Sequence, residues 1–345
     1  MKVYEIGDTS KGLALRMAER PVPTPGHGEV LYRIRATGLN ARDMTLLLGL
    51  GRTPGPQDRI PLMDNAGEVA AVGPGVTRVA VGDRVVMTHY WRWLDGEWDV
   101  AMSRDDFAGT RDGFLAEYVV VPEAPLIKLP DDISFEQAST LQSAGLTAWN
   151  AVVEAGRARA SDTVLTLGTG GVSVFGLQWA KMLGARVIIT SSSDAKLERM
   201  KALGADVTIN YRTTPDWAAA VMAATDGRGA DIVLNTVGLS EMQACLMSCA
   251  SGGRVMYIGA NSVAADRKAP APTSLSSLPN LIIKDLTIKG IVVGSRRMFE
   301  DLLTAMSRNR IAPVIDRVYA FDEAAEAVRY MQSGEKVGKV VIRVG

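Results

Sequence analysis

A chain of 345 residues exceeds the roughly 100–200 of a single domain, so two domains, or one with a large insertion, are expected. Its 47% apolar and 22% charged residues are those of an ordinary globular protein, and 34 Gly with 15 Pro point to many tight turns rather than disorder. Lys plus Arg and Asp plus Glu both number 38, which excludes a global electrostatic case for nucleic acid or an anionic membrane and favours a small, weakly steered ligand. The opening MKVYEIGDTS has no basic segment followed by an apolar one, and no run of about 20 apolar residues occurs, so a cytoplasmic location is expected.

Residues 1–125 alternate short β-like runs (Val30–Ala36, Ala66–Val72, Val81–Met87) with the turns Pro21–Gly28, Gly51–Pro56 and Gly73–Gly75, as a small irregular β domain would. From about Ser134 the rhythm becomes strand–helix–strand. Strands are expected at Thr163–Leu167, Val187–Thr190, Val207–Asn210, Asp231–Asn235, Arg254–Ile258 and Leu286–Val293. Between them lie helical stretches at Val172–Leu183, Asp194–Leu203, Trp217–Ala224 and Glu241–Ala250, a full set for a doubly wound parallel sheet. The last residues give two amphipathic helices, Met298–Arg308 and Phe321–Gln332, and a strand, Lys339–Val344, expected to return to the first domain. No repeat occurs at a period of 20–50 residues, and the one long polar tract is Ser262–Ser277. Cys245 and Cys249 are the only cysteines; four apart on an expected helix, they read as packed free thiols.

The strand Thr163–Leu167 runs into Gly168-Thr169-Gly170-Gly171-Val172-Ser173 and then a helix, the context of a dinucleotide phosphate turn. Gly168 would make the tight turn, Gly170 would let pyrophosphate approach the backbone, and the helix N-terminus would face its charge. Ser173 stands where the pattern has a third small residue. At the end of the second strand an NAD site usually carries a carboxylate; here Thr190-Ser191-Ser192-Ser193 follows instead. With Ser191, Ser192 and Lys196 able to donate to a 2′-phosphate, NADP(H) is the expected cofactor, provided that Asp194 acts as a helix N-cap.

Together with this turn, the runs Val81-Gly82-Asp83-Arg84-Val85, Gly113-Phe114-Leu115-Ala116-Glu117-Tyr118 and Gly145-Leu146-Thr147-Ala148-Trp149 resemble the medium-chain dehydrogenase/reductase superfamily over nearly the whole chain. Ala66-Gly67-Glu68-Val69 and the stretch from Ala205-Asp206 to Asn210-Tyr211 are most similar to its quinone oxidoreductase and zinc-free alcohol dehydrogenase-like branch. The resemblance implies an α/β protein with a doubly wound Rossmann domain over residues 126–295 and a GroES-like β-rich substrate domain from 1–125 and 296–345. It also implies a homodimer, with the nicotinamide in the cleft between the domains. By the same resemblance Tyr211 would flank the 2′-phosphate and Thr147 would lie near the nicotinamide. The run Val292–Arg297, with Val293 and Ser295, would edge the nicotinamide site, and Gly171, Val172, Val237 and Gly259 complete the implied cofactor set. Arg296 could pair with a phosphate or be a surface residue at a helix start.

Zinc members of the superfamily use a Cys, a His and a second Cys; Asn40, Met63 and Ser143 fall at those positions here, and none makes a credible zinc ligand. The histidines, His27 and His89, have no ligand residue spaced near them, so no metal is expected. Without a Lewis acid, an unactivated ketone loses its main oxyanion stabiliser, whereas a quinone or α,β-unsaturated carbonyl spreads the incoming charge. Hydride transfer from NADPH to such an acceptor is therefore expected. The alternatives are a zinc-free alcohol or carbonyl dehydrogenase and a non-catalytic NADPH-binding protein. In Gly38-Leu39-Asn40-Ala41-Arg42-Asp43 the Asn40 amide would donate to the substrate oxygen and Asp43 would orient the loop, unless Asn40 is a turn residue bonded to its own backbone. Thr45, Tyr90 or water would supply the proton. Met63 and the aromatics Tyr90, Trp91 and Trp93, with Trp98, would form a wall for a flat acceptor, a subunit contact or the local packing of a long loop.

Overall fold

The structure, a computed structural model, describes residues 1–9, 12–48, 57–259 and 278–345; the expected turn Gly51–Pro56 and polar tract Ser262–Ser277 lie outside the described residues. In chain order the first strands are β1 (Lys2–Ile6), β2 (Leu15–Glu19), β3 (Glu29–Gly38), β4 (Ala66–Val72), β5 (Arg84–Met87), β6 (Tyr118–Pro122) and β7 (Leu126–Lys128). The helices among and after them are α1 (Ala41–Leu47), α2 (Phe135–Ala138) and α3 (Leu146–Trp149). An alternating region follows: β8 (Thr163–Leu167), α4 (Gly171–Met182), β9 (Arg186–Ser191), α5 (Asp194–Ala202), β10 (Val207–Asn210), α6 (Trp217–Ala224), β11 (Ala230–Asn235), α7 (Met242–Ser248) and β12 (Cys249–Tyr257). After α8 (Pro279–Ile283) and β13 (Thr287–Gly290) come α9 (Arg296–Asn309), β14 (Ile315–Tyr319), α10 (Ala324–Ser333) and β15 (Lys339–Arg343).

The chain divides into two units, Met1–Leu146 with Val293–Gly345, and Thr147–Val292. The first of these boundaries falls some 20 residues beyond the expected one. The reason is local: β7 pairs antiparallel with β5, and Gln142 and Ser143 bond to Asn65 and Asp64, so residues 126–146 stay with the first unit.

In the first unit β14-β15-β3-β4-β5-β7 form a sheet, with β6 also paired to β3. The last strand does return: β15 runs antiparallel to β3, with Val341 opposite Gly38. Alternation explains the burial, since Val30, Tyr32 and Ile34 of β3 point inward with Val85, Val121 and Ile342 to make one apolar core. The strand expected from Val81 starts only at Arg84, because Gly82 takes a left-handed turn and Asp83 closes it on the Ala80 N–H at 2.8 Å.

The second unit is a six-stranded parallel sheet in the order β10-β9-β8-β11-β12-β13. Numbered within the sheet this is 3-2-1-4-5-6, the dinucleotide-binding order, whose switch point lies between β8 and β11. Cys249 opens β12 and is not on the α7 helix as expected; its Sγ reaches the Cys245 carbonyl at 3.2 Å, and both thiols are buried and free. Burial pushes both thiols up, Cys249 to about 12. Among the described residues no helix is long and apolar enough to cross a membrane.

Candidate functional site

At the carboxyl end of β8 the chain turns through Gly168, whose φ of +76° is left-handed and whose absent side chain leaves open space. Gly170 is the N-cap of α4, and Val174 N–H makes the first bond back to it at 3.0 Å. The N–H groups of Gly171, Val172 and Ser173 therefore sit in the first turn, where a helix has no acceptors of its own and carries partial positive charge. This is the chemistry of a phosphate site, and the residues fit a dinucleotide. Ser173 does more than remain small: its hydroxyl donates to the Leu167 carbonyl at 2.6 Å and ties helix to strand. The tight helix–sheet approach is at Gly176, where a Cβ would lie 2.6 Å from Leu234 Cδ2.

Beside this turn opens a cavity of about 350 Å³ lined by Leu167, Gly168, Thr190, Tyr211, Pro215, Trp217, Val237 and Glu241. Five of these are not among the expected site residues: Leu167 and Thr190 adjoin the runs read in the sequence, while Pro215, Trp217 and Glu241 carry no local motif and are gathered at the switch point by the sheet order. Tyr211 is 42% exposed and its N–H bonds the Ser191 carbonyl at 3.0 Å, so β10 delivers it to the end of β9. The α5 N-cap is Ser193, not Asp194; the Asp194 carboxylate accepts from the Asn210 side-chain amide at 2.7 Å. Ser191 is buried and its oxygen accepts the Ser193 N–H at 3.3 Å; Ser192 and Lys196 are half-buried alongside. Val237 N–H bonds the Asn235 side chain at 3.2 Å, and Gly259 N–H bonds the Asn235 carbonyl at 3.0 Å, so both sit beyond the ends of their strands. Thr147 is buried in α3.

Val293 and Ser295 belong to the first unit, and the Ser295 oxygen accepts the Met298 N–H at 3.2 Å as the N-cap of α9. Arg296 is used structurally: its guanidinium donates to the Ala124 carbonyl at 2.5 Å and pairs with Glu300 at 3.4 Å.

The first unit concentrates buried polar groups where β3 ends and α1 begins. Asn40 is the α1 N-cap, and its N–H donates to Asp43 Oδ2 at 2.8 Å. Its side chain is not bonded to its own backbone. The oxygen instead accepts from Lys339 Nζ of β15 at 2.6 Å. The same ammonium donates to the Leu39 carbonyl and to Asp64 Oδ2, both at 2.8 Å. Asp64 Oδ1 accepts the Ser143 N–H at 3.2 Å. Asn40 Nδ2 and Asp43 Oδ1 are buried and without a hydrogen-bond partner among the described residues. Burial, then the neighbouring Asp64 charge, raises the Asp43 carboxyl to about 7. Lys339 and Asp64 carry no motif of their own; a lysine in an otherwise apolar strand, Lys339-Val340-Val341-Ile342, was the available signal.

Of the positions implied as zinc ligands in relatives, two are in contact, Ser143 Oγ donating to Met63 Sδ at 3.0 Å. Their chemistry does not suit zinc: a thioether, a hydroxyl, and an amide oxygen already held by an ammonium. Among the described residues no group of three or more His, Cys, Asp or Glu side chains could hold a metal ion.

Tyr90, Trp98 and Trp93 pack in a tilted row, with ring centroids 4.8 and 5.0 Å apart, and His89 meets Tyr90 edge-on at 4.2 Å. Trp91 stands apart from them, its ring flanked by Arg92 and Arg111 and its Nε1 donating to the Asp105 carbonyl at 2.9 Å. Thr45 is half-buried on α1. Arg42, unremarked in the sequence, pairs with Asp106 and with His89 Nε2 at 2.7 Å. Burial and that guanidinium hold His89 well below the usual imidazole range, so it is neutral.

Comparison with known proteins agrees with this architecture. The sequence model described as "Alcohol dehydrogenase GroES-like domain" matches residues 26–131, and that described as "Zinc-binding dehydrogenase" matches 171–308. A zinc-type alcohol dehydrogenase-like protein of Schizosaccharomyces pombe is 37% identical over 345 residues, 99% of each chain. The solved structure of an NAD-dependent alcohol dehydrogenase is 35% identical over 100% of both chains, with a TM-score of 0.88. That of a quinone oxidoreductase from Pseudomonas syringae pv. Tomato DC3000 is 30% identical over 99% of both, with a TM-score of 0.79. With a GroES-like domain, a Rossmann sheet and a dinucleotide turn, the chain belongs to the medium-chain dehydrogenase/reductase superfamily and is an oxidoreductase that uses a nicotinamide cofactor.

Proposed function

We propose that the protein transfers hydride from NADPH to a quinone or α,β-unsaturated carbonyl, without a metal. The observation that carries this reading is the Asn40 amide: its nitrogen is buried without a partner among the described residues, while its oxygen is held by Lys339. Such a nitrogen is a hydrogen-bond donor awaiting an acceptor. Held by the second unit, the cofactor would supply the hydride, two electrons and one proton, to the β-carbon of an enone and be left as NADP⁺. Asn40 would donate to the conjugated oxygen as charge develops there, and one solvent proton at the α-carbon would complete the saturated carbonyl. Asp43 holds the Asn40 backbone, and its carboxyl, near 7, can carry a proton beside the same group. The side chains at the zinc-ligand positions do not suit zinc, which favours an acceptor that disperses its own charge. For the cofactor, Ser192, Lys196 and Tyr211 stand at the end of β9, where a 2′-phosphate would find donors, and the Asp194 carboxylate beside them is held by the Asn210 amide at 2.7 Å.

A second reading, a zinc-free alcohol or carbonyl dehydrogenase, is favoured by the similarity to alcohol dehydrogenases. Initial rates of nicotinamide oxidation separate the two, NADPH beside NADH, against matched enones, quinones and saturated aldehydes, with and without chelator. Chelator-insensitive, NADPH-preferring turnover of the conjugated acceptors is expected, and Asn40→Ala should lower it about 10²–10³-fold while still binding NADPH. Turnover of the saturated aldehydes at equal rates would select the second reading, and cofactor binding without turnover of any acceptor would reject both.

A further inference from the structure

A carboxamide presents oxygen on one side and NH₂ on the other, in nearly the same shape, and only its partners decide which side faces a ligand. For Asn40 that partner is Lys339, 299 residues away. An ammonium has three donors and no acceptor, so the amide atom 2.6 Å from it has to be the oxygen. The nitrogen is thereby left to donate. Every proton of Lys339 is assigned, to Leu39, Asn40 and Asp64, and its side chain is 3% exposed. Asp64 balances the charge, is itself fully buried, and is fixed from its other oxygen by the Ser143 N–H. The neighbouring backbone is shaped around the pair: a Cβ on Gly38 would lie 2.9 Å from Asp64 Oδ2 and 3.3 Å from Lys339 Cε.

A buried ion pair of this kind is costly to desolvate and is weak evidence for stability by itself. Here it performs an orienting task. We propose that Lys339 is a positioning residue of the acceptor site: it locks the Asn40 carboxamide in the donor orientation and, through its charge behind the amide oxygen, strengthens the N–H as a donor. The inference rests on the reading of Asn40 given above and deepens it in substrate class. The group opposite Asn40 Nδ2 has to be a hydrogen-bond acceptor, a carbonyl or quinone oxygen, and a hydroxyl binds there only through its lone pairs.

The test is a coupling measurement on folded enzyme with NADPH as cofactor. Lys339→Met alone would strand Asp64 as an unpaired buried charge, so the variant used is Lys339→Met with Asp64→Leu, checked by circular dichroism and by NADPH fluorescence. Its kcat toward the best conjugated acceptor should fall about tenfold or more, and adding Asn40→Ala to it should cost little beyond Asn40→Ala alone, because both changes remove one interaction. Asn40→Asp, which keeps the bond to Lys339 but replaces the donor by an acceptor, should be at least as impaired as Asn40→Ala. If the Lys339 and Asp64 double variant keeps its kcat, or its effect multiplies independently with Asn40→Ala, or only NADPH affinity changes, the positioning role is wrong while the Asn40 reading survives. If Asn40→Ala itself is fully active, the reading on which this rests fails first.

Discussion

Asp43 is 1% exposed, with one carboxylate oxygen on the Asn40 N–H and the other buried without a partner among the described residues. Desolvation and then the Asp64 charge raise its carboxyl from an ordinary 3.8 to about 7, against the pull of Lys339 and Arg42. The folded-state value lies above the unfolded one, so the group's contribution to stability is fully present below about pH 4 and is lost as pH rises through about 7. A difference of about three units is worth on the order of 4 kcal/mol over that window. Asp43→Asn keeps an oxygen for the Asn40 N–H and cannot ionise. Thermal unfolding from pH 4 to 8 should therefore show a smaller loss of Tm in Asp43→Asn than in the natural protein; parallel pH profiles would show that Asp43 does not titrate with this shift.

At the scale of elements, the strand-to-helix turn was legible because its chemistry is local. Glycine spacing and the following helix start specify the phosphate cradle without reference to the rest of the chain. Ser173 and Gly176 show where that legibility stops. The pattern asks for a small residue at Ser173, yet there the structure has a hydroxyl bonded to Leu167, and the close approach to the sheet has moved one turn on to Gly176. Gly176→Leu would drive side-chain atoms into Leu234 and should cost about 1–3 kcal/mol, lowering Tm and weakening NADPH binding together as α4 is displaced from β8. An unchanged Tm in differential scanning calorimetry would mean that α4 can move away without loss. Ser193 and Asp194 are both good caps in sequence; the structure uses Ser193, which accepts the Lys196 N–H, and gives the Asp194 carboxylate to the Asn210 amide.

For the molecule as a whole, β13 forms one edge of the parallel sheet with all four residues exposed, next to Ile282 and Ile283 at 87% and 77% exposure. A sheet edge unpaired among the described residues, carrying Ile288 and flanked by two exposed isoleucines, is an open template for another strand, and a second copy of this chain, paired isologously, would cover it. A homodimer is therefore expected, with light scattering giving twice the chain mass. Ile283→Glu combined with Ile288→Lys should shift it toward the chain mass with the fold retained. A natural protein that is already monomeric at micromolar concentration would remove this assignment.

The two-part organisation, the parallel sheet, the glycine turn and the membership of an oxidoreductase superfamily are legible in the order of the amino acids alone. Each of these is written in short-range signals: a hydrophobic period, a glycine spacing, a helix cap. What the Asn40 side chain bonds to is written only in the long-range fold. The residue's neighbours in sequence allow a turn residue equally well, and it is Lys339, brought back by β15 against β3, that claims its oxygen and leaves its nitrogen to donate. The same holds for the lining of the cavity beside the glycine turn, where Trp217 and Glu241 join Gly168 through strand order alone. Long-range pairing has no local signature, because the free energy that fixes it comes from burying the whole sheet rather than from any one segment.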